Sequence, residues 1–175
     1  LNGPSITSYS HVDKTSVKVK SGETVSQMPI EEYCIGVLAK EMPASYSKEA
    51  LKAQAVVVRT EVYRKIKETG KETVLEGEFR TQKQMEDAWG AKYPKYYNKL
   101  VDAWNDTEGQ VLFYGEELAL TPFFRLSNGC TRDGKEVLGS DAYPYLKIVE
   151  CPWDIEDKKQ IQTVMTEDMD AEITE

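Results

Sequence analysis

The chain has 175 residues, 40% of them hydrophobic and 30% charged, with a formal net charge of −8. That length fits one domain or one and a half, and the apolar fraction supplies a real core, which sets the chain apart from disordered sequences. Its basic residues are interleaved with carboxylates, which argues against nucleic acid, because phosphate backbones need clustered Lys and Arg; a neutral carbohydrate stays open.

No apolar run approaches the roughly 18 residues of a membrane span. Leu1-Asn2-Gly3 opens a polar stretch, with no signal peptide visible. If the native protein is exported or anchored, the segment responsible is expected upstream of Leu1. The single histidine, His11, weakens every mechanism built on a His base or a His-rich metal site. Cys34, Cys130 and Cys151 are too few and too scattered for a disulfide scaffold.

In chain order, Thr15 to Lys20 alternates polar and apolar residues, which predicts a strand, and Ser21-Gly22 is a turn signal. Pro29 precedes a helix expected from Ile30 to about Lys40. Ile30, Cys34, Val37 and Leu38 fall at helical spacing there, with Glu31 and Glu32 near the positive N-terminal end. Glu41 lies three residues after Leu38, four after Val37 and seven after Cys34. One more helical step therefore puts this carboxylate on the apolar stripe, and Pro43 stops the helix just beyond. Desolvation at that position favours the neutral acid, which a general acid requires. The alternative is a fraying end with Glu41 turned out into water.

Ser45 or Ser47 can cap a second helix, with Glu49 in its first turn, running to about Glu68 and stopping at Gly70. Leu51, Ala55, Val58, Val62 and Ile66 form one apolar stripe. Lys52, Arg59 and Tyr63 share another face, either a solvated basic stripe or the lining of a cleft beside Glu41. Thr73-Val74-Leu75 reads as a short strand. Phe79 to Gln84 offers amides and hydroxyls that suit sugar hydroxyls or an ordinary surface loop. A third helix is expected from near Pro94 to Asn105. Val111 to Tyr114 and Leu118 to Phe124 read as strands around Gly115-Glu116-Glu117, followed by a polar loop at Ser127-Asn128-Gly129 and a short strand from Tyr145 to Val149. Helices in the N-terminal half with mainly antiparallel strands predict an α+β fold.

Ile30-Glu31-Glu32-Tyr33, Glu41-Met42-Pro43, Ala50-Leu51-Lys52-Ala53-Gln54-Ala55 and Arg59-Thr60 together resemble the signature of the stage II sporulation protein D (SpoIID/LytB) family. Phe123 to Thr131 (FFRLSNGCT) is similar to a later loop of that family. Pro144-Tyr145-Leu146 and Pro152-Trp153-Asp154 are similar to its ending. The ordered set spans roughly residues 25 to 154. The resemblance divides the chain into an N-terminal strand-containing segment (1–24), a catalytic domain (25–154) and an acidic C-terminal segment (155–175).

The resemblance implies a lytic transglycosylase of peptidoglycan, acting on glycan strands stripped of their peptides during engulfment in spore formation. Glu41 is then the catalytic acid. Lys52, Arg59, Gln84, Ser127, Thr131 and Tyr145 are the implied substrate-binding residues. No cofactor and no metal are implied. The implied partners are the glycan strands and the stage II sporulation proteins M and P, with a membrane reached only through an upstream anchor, outside the cytoplasm. A glycoside hydrolase usually needs two carboxylates, whereas here one suffices, because the muramic 6-hydroxyl is a nucleophile held within the substrate.

The chain departs from the family pattern at Phe124, Arg125 and Asn128, where a His, a Ser and a Gly are usual. Cys130 has no His or second Cys close by in sequence to complete a zinc site of about four ligands. A Cys130–Cys151 disulfide and two free thiols both stay open. Some relatives are described as enhancers of wall amidases, so a non-catalytic glycan-binding activator is the alternative function.

Overall fold

The computed structural model describes residues 3–9, 16–70 and 73–155. These fall into two compact units, one of Gly3–Thr121 and one made chiefly of the residues from Pro122 onward. His11, Thr15 and the segment 156–175 lie outside the described residues.

The first unit contains β1 (Ser5–Ser8), β2 (Ser16–Ser21), β3 (Thr24–Pro29), α1 (Ile30–Glu41), α2 (Lys48–Thr69), β4 (Val74–Glu76), α3 (Gln82–Trp89), α4 (Tyr93–Asn105), β5 (Gln110–Tyr114) and β6 (Glu117–Leu118). Its strands make two three-stranded sheets, β1-β5-β6 and β3-β2-β4. All pairings are antiparallel except β2 with β4. The fold is α+β, as the order of patterns predicts.

The β2–β3 hairpin turns between Ser21 and Thr24, which face each other in register. Val17 and Val19 of β2 point into the core while Lys18 and Lys20 point out, the period-2 pattern of a half-buried strand. Ser47 caps α2, its hydroxyl accepting from the Ala50 N–H. The expected stripe Leu51, Ala55, Val58, Val62 and Ile66 is buried throughout. Leu38, Leu51 and Leu100 are wholly buried, each contributing about 1.5–3 kcal/mol.

On α1 burial is wider than the expected stripe, taking in Tyr33, Ile35 and Gly36 as well. Gly36 explains part of this. A Cβ there would lie 2.6 Å from the Arg80 carbonyl oxygen, and the Arg80 N–H donates to the Gly36 carbonyl at 3.0 Å. The glycine lets the segment before α3 lie directly on the helix, with the Phe79 ring 5.3 Å from that of Tyr33.

The second unit has little regular structure. It holds α5 (Gly134–Leu138) and α6 (Pro152–Ile155) and one antiparallel bridge, Cys130 to Glu150. Two expected strands are corrected here. The strand expected at Leu118–Phe124 stops at Leu118, where Ala119 makes the last ladder bond, to Leu112 at 2.9 Å; Pro122 further on has no N–H to give a ladder. The strand expected at Tyr145–Val149 reduces to the backbone bond from Thr131 to Val149 at 2.9 Å beside that bridge. β1, β3, α3, α5 and α6 were not anticipated from the sequence. No described helix is long and apolar enough to cross a membrane.

Candidate functional site

Glu41 is the last residue of α1. Met42 leaves the helix in extended geometry, as the residue before Pro43 must, and its N–H donates to the Leu38 carbonyl at 3.0 Å. The loop that follows is pinned from α4, where the Lys99 ammonium donates to the carbonyls of Ala44 and Tyr46. The helix end is therefore held from both sides of the chain.

Glu41 is half-buried. Among the described residues no cation or hydrogen-bond donor pairs with its carboxylate. The half-buried Glu61 behaves differently, because Arg64 and Lys65 both pair with it. A half-buried carboxyl free of internal partners has its lone pairs, or its proton, available to a ligand.

Lys52, the fifth residue of α2, is partly buried and pairs with Glu49 at 3.2 Å. Arg59 is a correction. It was expected to line a cleft, yet it is only 1% exposed. Its guanidinium donates to the carbonyls of Thr107 at 2.7 Å, Trp104 at 2.9 Å and Gln110 at 3.2 Å. It also lies 3.8 Å from the centre of the Trp104 ring. A guanidinium is weakly hydrated and presents a planar fork of donors, so it can be buried where three carbonyls converge. Burial lowers its pKa from the usual arginine value, with neighbouring groups opposing that shift. It ties α2 to the end of α4 and the start of β5 and has no free donor face for a substrate.

Gln84 sits in the first turn of α3. Its side-chain oxygen accepts from the Thr81 N–H at 2.9 Å, while the Thr81 hydroxyl accepts from the Gln84 N–H at 3.2 Å. This reciprocal capping box fixes both side chains. A pocket of about 500 Å³ lies beside them, between α1, the β2–β3 turn and the segment after β4.

In the second unit the structure brings Ser127, Thr131 and Tyr145 to one largely apolar pocket of about 600 Å³, together with Phe124, Leu126 and Leu146. Two of these hydroxyls serve the chain itself. The Ser127 hydroxyl and N–H both donate to one Asp154 oxygen, at 2.7 and 2.8 Å. Those bonds hold the Asp154 carboxyl below its usual range. The Thr131 hydroxyl donates to the Lys147 carbonyl at 2.8 Å and accepts from the Val149 N–H at 2.7 Å. Asp154, which the sequence reading left without a role, is thus the anchor of this loop.

Cys34, Cys130 and Cys151 are free thiols, the second of the two states left open for Cys130 and Cys151 by the sequence. Cys130 is opposite Glu150, one residue short of Cys151. Among the described residues no cluster of three His, Cys, Asp or Glu side chains is placed to hold a metal ion.

Comparison with known proteins bears on this arrangement. A stage II sporulation protein family model (SpoIID) matches residues 18–114, the stretch that carries β2, α1 with Glu41, α2 and Gln84. The chain is 35% identical over 144 residues to stage II sporulation protein D of Bacillus subtilis (strain 168), covering 77% of this chain and 42% of that protein. It is 34% identical over 153 residues to stage II sporulation protein D of Bacillus amyloliquefaciens, covering 82% of this chain and 44% of that protein. It is 34% identical over 111 residues to the amidase enhancer of Bacillus subtilis (strain 168), covering 63% of this chain and 14% of the enhancer. The chain spans less than half the length of these curated relatives. With the model covering more than half of its residues, this chain belongs to the stage II sporulation protein family.

Proposed function

We propose that this domain is a lytic transglycosylase of peptidoglycan and that Glu41 is its catalytic acid. The observation that carries this reading is Glu41 itself, a half-buried carboxyl at a pinned helix end with no partner among the described residues. In the proposed reaction, protonated Glu41 gives its proton to the glycosidic oxygen between N-acetylmuramic acid and N-acetylglucosamine, and the bond to the muramic anomeric carbon breaks. The resulting carboxylate takes the proton of the muramic 6-hydroxyl as that oxygen attacks the same carbon. The products are a free 4-hydroxyl on N-acetylglucosamine and a 1,6-anhydro end. One carboxyl acts as acid and then as base, and the intramolecular nucleophile supplies proximity.

The family and the names of the relatives support a role in sporulation and at the cell wall, on the outer side of the membrane. Engulfment-stage remodelling, and association with the stage II sporulation proteins M and P, belong to this proposal. The amidase enhancer among the relatives favours a second reading, a glycan-binding activator that does not cut. Phe124 in place of the usual histidine points the same way.

Incubation with peptide-free glycan strands, with products read by mass spectrometry, separates the two. Anhydro-muramic ends that fall at least ~100-fold in Glu41→Gln, a size typical of a lost general acid, are expected. Plain reducing ends would replace the lyase with a hydrolase. Intact strands that stay bound would favour the activator. The variant's urea midpoint serves as the folding control.

A further inference from the structure

The pocket of the second unit is assigned no role by the catalytic reading. Its volume of about 600 Å³ is in the range of small-molecule sites, and its lining runs from Pro122 to Val149, wholly within that unit. Six apolar side chains form its walls, Phe124, Leu126, Val137, Leu138, Leu146 and Val149. Leu146 is half-buried and the other five are exposed. The chain itself covers little of this apolar surface, so a ligand that covers it gains the burial.

The walls are fixed by bonds within the chain. The Thr131 hydroxyl ties Lys147 to Val149, and the Gly134 N–H donates to the Leu146 carbonyl at 2.8 Å. A Cβ on Gly134 would lie 2.5 Å from the Leu146 Cβ, so α5 starts directly against that wall. The same bonds spend much of the polar lining. The Ser127 hydroxyl donates to Asp154 and the Thr131 hydroxyl to Lys147. The N–H groups of Thr131, Gly134, Leu146 and Lys147 all donate to backbone carbonyls. A sugar or a peptide would bring hydroxyls or amides that need partners, and burying them against these walls costs free energy. An alkyl chain brings none. Charge adds a second preference. Arg132 and Lys147 line the pocket and no described carboxylate does, in a chain of net charge −8. Asp133 is occupied by the N–H groups of Lys135 and Glu136. Glu136 meets Arg132 at 3.5 Å in an exposed pair, which is worth little. Lys147 has no carboxylate partner among the described residues.

We propose that this pocket binds an anionic amphiphile, with its alkyl chain against the six apolar side chains and its head on Lys147 and Arg132. A carboxylate or phosphate head accepts charge-assisted hydrogen bonds from both cations. A free amphiphile and an anionic lipid of a membrane surface share these two parts. The inference uses no property of Glu41 and is independent of glycan cleavage.

The test uses the full chain, isotope-labelled, titrated at neutral pH with monomeric decanoate. The expected result is a set of amide shift changes confined to the segment from Pro122 to Val149. Hexanoate is expected to bind at least ~50-fold more weakly, since each buried methylene is worth about fourfold. Decyltrimethylammonium, the same chain with the opposite head, should bind at least ~10-fold more weakly, the worth of a hydrogen bond to a charged group. Lys147→Gln should weaken decanoate by a similar factor, and Lys147→Arg should bind as the parent does. Val137→Asp places a carboxylate at an exposed wall position and should abolish binding while the α2 amide shifts hold. Glu41→Gln is expected to leave binding unchanged. Decanoate shifts that spread into α2, equal binding of the cationic amphiphile, or unchanged binding by Lys147→Gln or Val137→Asp overturn the site. Co-sedimentation with vesicles separates the two sources. Binding to phosphatidylglycerol but not phosphatidylcholine vesicles, lost in Val137→Asp, assigns the pocket to a membrane lipid. Decanoate binding without vesicle binding assigns it to a free amphiphile. Absence of decanoate binding overturns the proposal, and an acidic amphipathic peptide bound in its place would make this a protein-docking surface.

Discussion

The two units of this chain are held together by different physics. In Gly3–Thr121 a single apolar cluster runs from Val17 to Trp104 and draws on β2, α1, α2, β4, α3 and α4. From Pro122 onward none of the described residues joins that cluster, and nine of the thirteen exposed large hydrophobic side chains are found there, among them Phe124, Ile148 and Trp153. That unit is stitched by hydrogen bonds, Ser127 to Asp154 and Thr131 to Lys147 and Val149. Gly129, at a φ of +106°, leaves room where a Cβ would lie 2.7 Å from the end of the Ile155 side chain. Apolar burial is cooperative and insensitive to pH, whereas a carboxylate clamp fails when its charge is removed. The comparison therefore predicts that the two units respond to different insults.

The largest expected effect is in the first unit. Arg59→Met keeps the volume and removes every donor, leaving the Thr107 and Gln110 carbonyls without the arginine bonds. Because the site is closed to water, the loss should be about 3–5 kcal/mol, read as a drop in the urea midpoint. A shift of less than ~1 kcal/mol, below the net worth of one such bond, would mean that the buried arginine is not what joins α2 to α4 and β5.

The next effect belongs to the second unit. The Asp154 carboxyl is depressed by the side-chain and backbone bonds from Ser127. A depressed folded-state value gives stability that is present above the ordinary Asp range and is lost as pH falls through the folded value. Amide exchange at residues 127–131 should accelerate on acidification below about pH 4, the ordinary Asp value, while exchange in α2 stays slow. Asp154→Asn should show the fast exchange already at neutral pH. Equal acceleration in both units would erase the distinction between them.

The first unit was the more legible in sequence for the same reason. A helix buried on one stripe writes its period into the chain, so α1, α2 and α4 are visible from Leu, Val and Ala spacing. The capping signals at Ser47 and the stop at Gly70 sharpen their ends. β3 carries only Val25 and Met28 among polar residues and is exposed along nearly its whole length, so its alternation was too faint to read. α3 buries Met85 alone, and its best signal was the Thr81–Gln84 capping spacing. In the second unit, Ile148 and Val149 look like strand residues but are exposed, because no continuous ladder exists to bury them. Glu41 was legible as the residue on which α1 ends, just before Pro43, and it is half-buried there. The burial of Arg59 was not, because nothing local marks the three carbonyls that converge on it from forty-five or more residues away.

The cysteines give the finest probe of the difference, with no change in stability needed. Cys34 is wholly enclosed in the first unit's core, and burial pushes its thiol up to about 12, against a lowering influence from Arg59. Below the ordinary thiol value near 9 it is therefore protonated as well as inaccessible. Any stability tied to that neutral form is kept below that value and lost only as pH rises toward 12. Cys130 is exposed and Cys151 partly so. At pH 8 iodoacetamide is expected to modify Cys130 and Cys151 in the native protein, and Cys34 only in denaturant, as counted by mass spectrometry. A thiol oxidant should leave Cys130 and Cys151 unlinked within one chain, because the single bridge pairs Cys130 with Glu150 and not with Cys151. Rapid formation of that disulfide in the native protein would require the Cys130–Glu150 bridge to break and the segment to slip by one residue, and would show that hydrogen-bond stitching alone does not fix register in the second unit.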